Sequence, residues 1–166
     1  PTEGRSWLGK PAPEWTGLAW IQGGPLSLAA RKGKTVLLRF WTSDCDLCRA
    51  SAPALNELSD AYRGQGLVVV GIHHPKTRRA RGLAYVEERA RDLGFDFPIA
   101  QDEDWSTMRA YGVGTTFREF TSVILFGAQQ KKRQPGGGLG ADARQFTEFL
   151  DEFANGFGED RHSGKD

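Results

Sequence analysis

Cysteine is scarce in this chain: two in 166 residues, at positions 45 and 48. A closed structural zinc site takes four ligands, and there is no second cysteine pair to complete one. Of the three histidines, His162 lies in a polar tail, and His73 and His74 are neighbours, which on a strand point to opposite faces. No stable metal and no cofactor are expected. A charge excess is lacking too. Lys+Arg number 22 and Asp+Glu 21, a net charge of +1, so nothing in the overall charge favours nucleic acid or a membrane surface. No apolar run approaches the ~20 residues of a membrane-spanning helix. Proline is missing from the whole interval between Pro98 and Pro135. The sequence opens at Pro1 without an initiator methionine, as expected of a processed protein or of a trimmed chain, and any targeting segment would lie outside it. Its length and its 39% hydrophobic content fit one domain with a sizeable core.

Both cysteines fall in Phe40-Trp41-Thr42-Ser43-Asp44-Cys45-Asp46-Leu47-Cys48-Arg49. The run Thr35-Val36-Leu37-Leu38-Arg39-Phe40-Trp41 ahead of them is β-branched and apolar, and reads as a buried strand. Behind them Leu47, Leu55, Leu58 and Tyr62 recur at helical spacing, which predicts a helix over 45–63, kinked at Pro53 and stopped by Gly64 and Gly66. A strand, a tight turn and Cys-x-x-Cys on the first helical turn have a chemical logic. Unpaired N–H groups at a helix start stabilise a thiolate. The two-residue gap lets the second sulfur attack a mixed disulfide formed on the first. Cys45, nearer the helix start, is the candidate nucleophile, and Cys48 the resolving thiol. Two plainer readings stand beside this one: a permanently oxidised structural disulfide, which would close little chain and stabilise little, and two unrelated buried cysteines.

Taken in order, residues 1–13 are an extended lead, and residues 14–30 read as an N-terminal β-hairpin, with Glu14-Trp15-Thr16 and Pro25-Leu26-Ser27-Leu28 as its strands. Leu67 to His73 is apolar on both faces, as a covered parallel strand is, so residues 35–73 form a βαβ unit. Lys76-Thr77-Arg78-Arg79-Ala80-Arg81 is strongly basic; it is either a solvated loop and helix start or a docking surface for an acidic partner. A helix is predicted over 83–93, with Tyr85, Val86, Ala90 and Leu93 inward. Further expectations are an extended piece over 95–99, a short helix over 102–111, a loop over 112–120 and a third core strand over 122–126. An edge strand over 129–133, a glycine linker at 136–138, an amphipathic helix over 141–153 and a disordered tail over 157–166 complete the reading, with a single domain over 1–156.

An ordered set of motifs carries a family resemblance. Leu8-Gly9-Lys10-Pro11-Ala12-Pro13, Gly33-Lys34 leading to Phe40-Trp41, Cys45-x-x-Cys48, Pro53, Gly66-Leu67-Val68-Val69-Val70-Gly71, Phe97-Pro98-Ile99 and Tyr111-Gly112-Val113 resemble thioredoxin-like domains of the TlpA/ResA type, within the wider group of alkyl-hydroperoxide-reductase relatives. Gly24-Pro25-Leu26-Ser27-Leu28, Phe40-Trp41-Thr42 and Gly71-Ile72-His73-His74-Pro75 look more narrowly like two relatives: the thioredoxin-like domains accompanying NHL-repeat proteins, and the periplasmic domains fused to CcdA-like membrane electron transporters. The resemblance implies an α/β thioredoxin-like fold, a central mixed sheet with helices on both faces and the dithiol atop the first main helix. It implies exchange with protein disulfides or with a membrane electron-transfer partner, in an extracytoplasmic compartment.

The departures from that family mark the remaining site candidates. Asp44 stands where a tryptophan is usual, and Asp46-Leu47 separates the cysteines. Arg39 aligns with the buried carboxylate below the dithiol, and Lys76 displaces an expected acid. The cis-proline that faces the dithiol is missing; with an insertion in 114–120 Thr121 takes its place, the preferred alignment, and without one Phe117 does, at the cost of a badly placed third strand. Arg39, turned toward the pair, would lower a thiol pKa, whereas Asp44 and Asp46 would raise it; alternatively Arg39 pairs with a carboxylate such as Glu119. Trp41 ends the strand next to the site. His73 or His74, at the carboxyl end of a parallel strand, is a candidate replacement acid or base, or a simple hydrogen-bonded strand-end histidine. Three functions follow: a thiol–disulfide oxidoreductase; a thiol peroxidase, since Thr42-x-x-Cys45 echoes the peroxiredoxin motif although Leu38 stands at its upstream proline; and a binding or scaffold module of the same fold with attenuated redox activity.

Overall fold

The computed structural model describes residues 11–113 and 123–126, the last four by backbone alone. All lie in the first of the chain's two compact units, Pro1–Gln130. Thr121, Glu119, the predicted edge strand, the glycine linker, the last helix and the tail lie outside the described residues.

Five strands form one mixed sheet: β1 (Ala19–Gln22), β2 (Thr35–Trp41), β3 (Leu67–His73), β4 (Ile99–Gln101) and β5 (Val123–Phe126), in the order β1-β4-β3-β2-β5. The middle three are parallel, and the two edges run antiparallel to their neighbours. The predicted βαβ unit is present. β2 and β3 pair in register from Thr35–Leu67 to Trp41–His73, joined through helix α1 (Asp46–Tyr62). α1 runs continuously through Pro53, whose missing N–H leaves the Arg49 carbonyl without its usual helical donor. A 3-10 turn, Arg63–Gln65, follows, and Gly66, at φ 96°, supplies the left-handed residue that turns the chain into β3.

Helix α2 (Leu83–Leu93) lies against α1 on one face of the sheet, where Asn56 Nδ2 donates to the Gly94 carbonyl at 2.5 Å. Val86, Ala90 and Leu93 are buried as expected, but Tyr85 is only half-buried. The opposite face is an apolar cluster: Val36, Leu38, Phe40, Val70 and Ile72 from the strands meet Trp15, Val113, Tyr111 and Met108, the last from helix α3 (Ser106–Ala110).

Three expectations need correction. No N-terminal hairpin forms among the described residues. The strand of that region is β1, between the two predicted segments, and it pairs with β4. Residues 14 and 28–29 do meet, but through a side chain: the Glu14 carboxylate accepts from the Leu28 and Ala29 N–H groups at 2.6 and 2.8 Å, capping the 3-10 turn Ala29–Arg31. The extended piece placed at 95–99 begins as a strand only at Ile99. The helix placed at 102–111 is shorter: it begins at Ser106 with Trp105 at the N-cap position, and Asp102 lies ahead of it, capping it with its side chain alone. Its carboxylate accepts from Thr107 N at 3.2 Å and Met108 N at 2.8 Å.

Candidate functional site

Parallel strands end together, so the loops leaving β2, β3 and β4 share one edge of the sheet, the edge where α/β sites form. Trp41, His73 and Gln101 are aligned in one row there. The loop after β2 carries Thr42, Ser43 and Asp44 to Cys45, which is the N-cap of α1. Cys45 and Cys48 are joined as a disulfide, with Cα atoms 5.2 Å apart. The two sulfurs have unlike surroundings. Cys45 is half-exposed, and its Sγ accepts from the Cys48 N–H at 3.1 Å. Cys48 is fully buried. On reduction, a Cys45 thiolate would keep that N–H and lie at the positive end of α1. Asp46 is exposed on the first turn of the helix.

Beneath the helix lies Arg39, 2% exposed. Its Nη2 donates to Ser51 Oγ at 3.0 Å, and the Ser51 hydroxyl donates to the Cys48 carbonyl at 3.2 Å. Arg39 thus faces α1, on the dithiol side of the sheet, and is tied to the backbone of Cys48 through one hydroxyl. Burial lowers its pKa to about 10, which still leaves it cationic at neutral pH.

His73 is buried, with its Nε2 2.9 Å from Ser43 Oγ and its ring edge-on to Trp41 at 4.7 Å. Desolvation, aided by His74, drops its pKa to about 3, so it is neutral at physiological pH. His74 is also buried, edge-on to Trp105, and burial and Lys76 bring its pKa to about 4. Trp41 is wedged between His73 and Phe95. Gly71 makes that possible: a Cβ there would lie 2.5 Å from Ile99 Cδ1 and 3.3 Å from Trp41 Nε1. Thr42 is buried, and Asp44 is exposed. Asp44 acts on Lys76, holding its pKa up against the partial burial that lowers it.

The structure therefore gathers Arg39, Trp41, Thr42, Asp44, Asp46 and His73 about the cysteines. Two hydroxyls join them that sequence reasoning passed over: Ser43, which meets His73, and Ser51, which meets Arg39. Ser51 had a signal, since it follows Cys48 by one helical turn on the face that also carries Leu55 and Leu58. Among the described residues no group of three His, Cys, Asp or Glu side chains is placed to hold a metal ion, and no helix is long and apolar enough to cross a membrane.

Residues 8–131 match the AhpC/TSA family. The chain belongs to that family. Among relatives in sequence, the thiol-disulfide oxidoreductase ResA of Geobacillus thermodenitrificans is 35% identical over 115 residues, 66% of this chain and 62% of that protein. Protein DipZ of Mycobacterium bovis is 32% identical over 104 residues, 60% of this chain but 15% of DipZ. The chain thus spans less than two thirds of the length of either. Among solved structures, a secreted disulfide oxidoreductase of Mycobacterium tuberculosis, homologous to DsbE of E. coli, superposes with a TM-score of 0.57 at 19% identity, over 84% of this chain and 95% of that one. The fold of this AhpC/TSA member is thioredoxin-like.

Proposed function

We propose that the chain is a thiol–disulfide oxidoreductase acting through Cys45 and Cys48. In the reductive direction the Cys45 thiolate attacks a substrate disulfide. A Cys45–substrate bond forms and one substrate thiolate leaves. Cys48, deprotonated, then attacks Cys45 Sγ, closing the Cys45–Cys48 bond and releasing the second thiolate, so two electrons pass to the substrate. Oxidation of a substrate dithiol is the reverse. The observation that carries this reading is the asymmetry of the pair: one sulfur half-exposed at a helix start, the other buried one turn in, above a buried cation. A purely structural bridge needs no such difference.

Arg39 occupies the place where the family resemblance puts a carboxylate. An arginine cannot accept a proton at neutral pH, so it acts by charge, favouring the thiolate. His73 is too weak a base, at a pKa of about 3, to take a proton from a thiol readily, and its work is to hold Ser43 and the loop that carries Cys45. The substrate is a protein thiol or disulfide, or a partner redox domain such as a membrane electron transporter. The compartment is extracytoplasmic, in line with the resemblance to periplasmic domains and with the secreted structural neighbour. The peroxidase reading gains nothing from the fold: Leu38, at the place of the peroxiredoxin proline, lies mid-strand on the face away from α1.

The test is equilibration in glutathione or dithiothreitol buffers, with free thiols trapped for mass spectrometry. A reversible two-electron transition between roughly −270 mV, as in thioredoxin, and roughly −120 mV, as in DsbA, is expected. A bridge that never forms, or one that resists reduction well below about −300 mV, would overturn the proposal and leave a binding module of the same fold.

A further inference from the structure

The basic stretch after β3 is a built surface rather than a loose loop. Its entry is pinned where the Trp105 indole donates to the Pro75 carbonyl at 3.0 Å. Its exit is pinned where Gln101 Nε2, from a side chain 1% exposed, donates to the Arg81 carbonyl at 3.0 Å. Between them Thr77 Oγ1 accepts from Ala80 N at 3.3 Å, opening the 3-10 turn Arg79–Arg81, and Ala80 is buried. This anchoring leaves Lys76, Arg78, Arg79 and Arg81 exposed together.

Their charge is only partly answered. Arg81 pairs with Glu103 at 3.4 Å, and Lys76 has Asp44 nearby. Among the described residues Arg78 and Arg79 have no ion-pair partner. Arg79 instead lies over the Tyr85 ring, 4.5 Å from its centre, with Arg89 at 5.8 Å from the same ring. That stacking holds a guanidinium in place while leaving its edge open to a carboxylate. The position is what gives this meaning. β2 and β3 are adjacent and parallel, so the loop carrying Cys45 and the basic segment leave the same edge side by side, and the influence of Asp44 on Lys76 marks where they meet.

We propose that residues 76–81 dock an acidic stretch of the polypeptide whose disulfide or thiol reacts at Cys45. The proposal rests on the oxidoreductase reading and names its substrate class: polypeptides with Asp or Glu flanking the reacting cysteine. Attraction between exposed charges is modest per pair and screened by salt, so two guanidinium groups without an ion-pair partner among the described residues support a preference of about tenfold at low ionic strength.

Three peptides with the same disulfide, flanked by Asp/Glu, by Gly/Ser or by Lys/Arg, separate the possibilities. The pre-reduced protein should reduce the acidic peptide about tenfold faster than the neutral one at low salt and the basic peptide more slowly still, with the differences collapsing at 0.5 M salt, roughly 4 Å of Debye screening. The R78E/R79E variant should reverse the order of the acidic and basic peptides while leaving the reduction potential unchanged. R78K/R79K, which keeps the charge, should retain it. Equal rates for all three peptides, or a preference that survives R78E/R79E, would overturn the docking surface. Binding to the C45S/C48S protein, read by fluorescence anisotropy, separates docking from chemistry. Tight acidic-peptide binding, lost in added R78E/R79E, with no disulfide exchange by the intact protein would uphold the surface and sink the oxidoreductase reading. No binding preference alongside normal exchange of the neutral peptide would do the opposite.

Discussion

On the face of the sheet turned toward α3, β2 and β3 set Val36 beside Val68, Leu38 beside Val70 and Phe40 beside Ile72. On the face turned toward α1, the same strands set Leu37 beside Val69, then Arg39 beside Gly71, then Trp41 beside His73. The first face is apolar along its length. The second begins apolar and becomes cationic, then aromatic and polar, as it nears the edge that carries the dithiol. Polar groups are costly to bury, and here Arg39 and His73 each meet a hydroxyl, Ser51 and Ser43, while Trp41 Nε1 and His73 Nδ1 are buried with no hydrogen-bond partner among the described residues. One face is apolar throughout, and the other carries its buried polar groups next to the edge that holds the dithiol.

Breaking each face should have separable consequences. The largest effect belongs to the sulfur: Cys45→Ser should abolish disulfide exchange while leaving stability nearly untouched, measured by peptide reduction and denaturant unfolding in parallel. Next is Phe40→Ala on the apolar face. Phe40 is fully buried, edge-tilted on Tyr111 at 6.2 Å, and its loss should cost about 3–5 kcal/mol of stability with the reduction potential unmoved. A shifted potential would show that the two faces are not independent.

The third break concerns acid. An unfolded histidine titrates near 6.5, whereas His73 stays neutral to about pH 3. Between those values the unfolded chain binds the extra proton, so this contribution to stability is fully present above pH 6.5 and is lost as pH falls through the window. His73→Gln should flatten the acid loss by up to about 1.4 kcal/mol per pH unit. Comparing variant with parent cancels His74, which acts the same way, and Asp102, whose burial raises its pKa and acts the opposite way. Parallel stability–pH curves would mean that His73 takes up its proton as readily in the fold as in the unfolded chain. The smallest effect is Arg39→Met. Removing the cation should destabilise the reduced thiolate form and lower the reduction potential by about 30 mV, equivalent to about 1.4 kcal/mol, read in the same redox buffers. An unchanged potential would make Arg39 a structural partner of Ser51 only.

The part of the fold nearest the dithiol was legible because its signals are local. β2, α1 and β3 are long, periodic and punctuated by Gly66, and Cys-x-x-Cys lies where strand gives way to helix. The N-terminal region misled because the link between Glu14 and residues 28–29 is a carboxylate cap, which looks like strand pairing when only spacing is considered. The short helix before Tyr111 was overextended for a related reason. Asp102 suits a helix start equally as first residue or as cap, and only its position at the end of β4 makes it the cap.

By itself the sequence determined the family, the order of β2, α1 and β3, and which residue is the outer sulfur, since all of these follow from short-range pattern. Alternation along β2 also dictated that Arg39 and Trp41 share a face. Which face that is, with α1 and Ser51 above it, was decided by how the helix crosses the sheet, a long-range matter. The same holds for the pairing of Ser43 with His73, 30 residues apart, and for the neighbourhood of Cys45 and the basic segment. Parallel pairing of β2 with β3 brings those loops to one edge, and no local preference in either loop records that they meet.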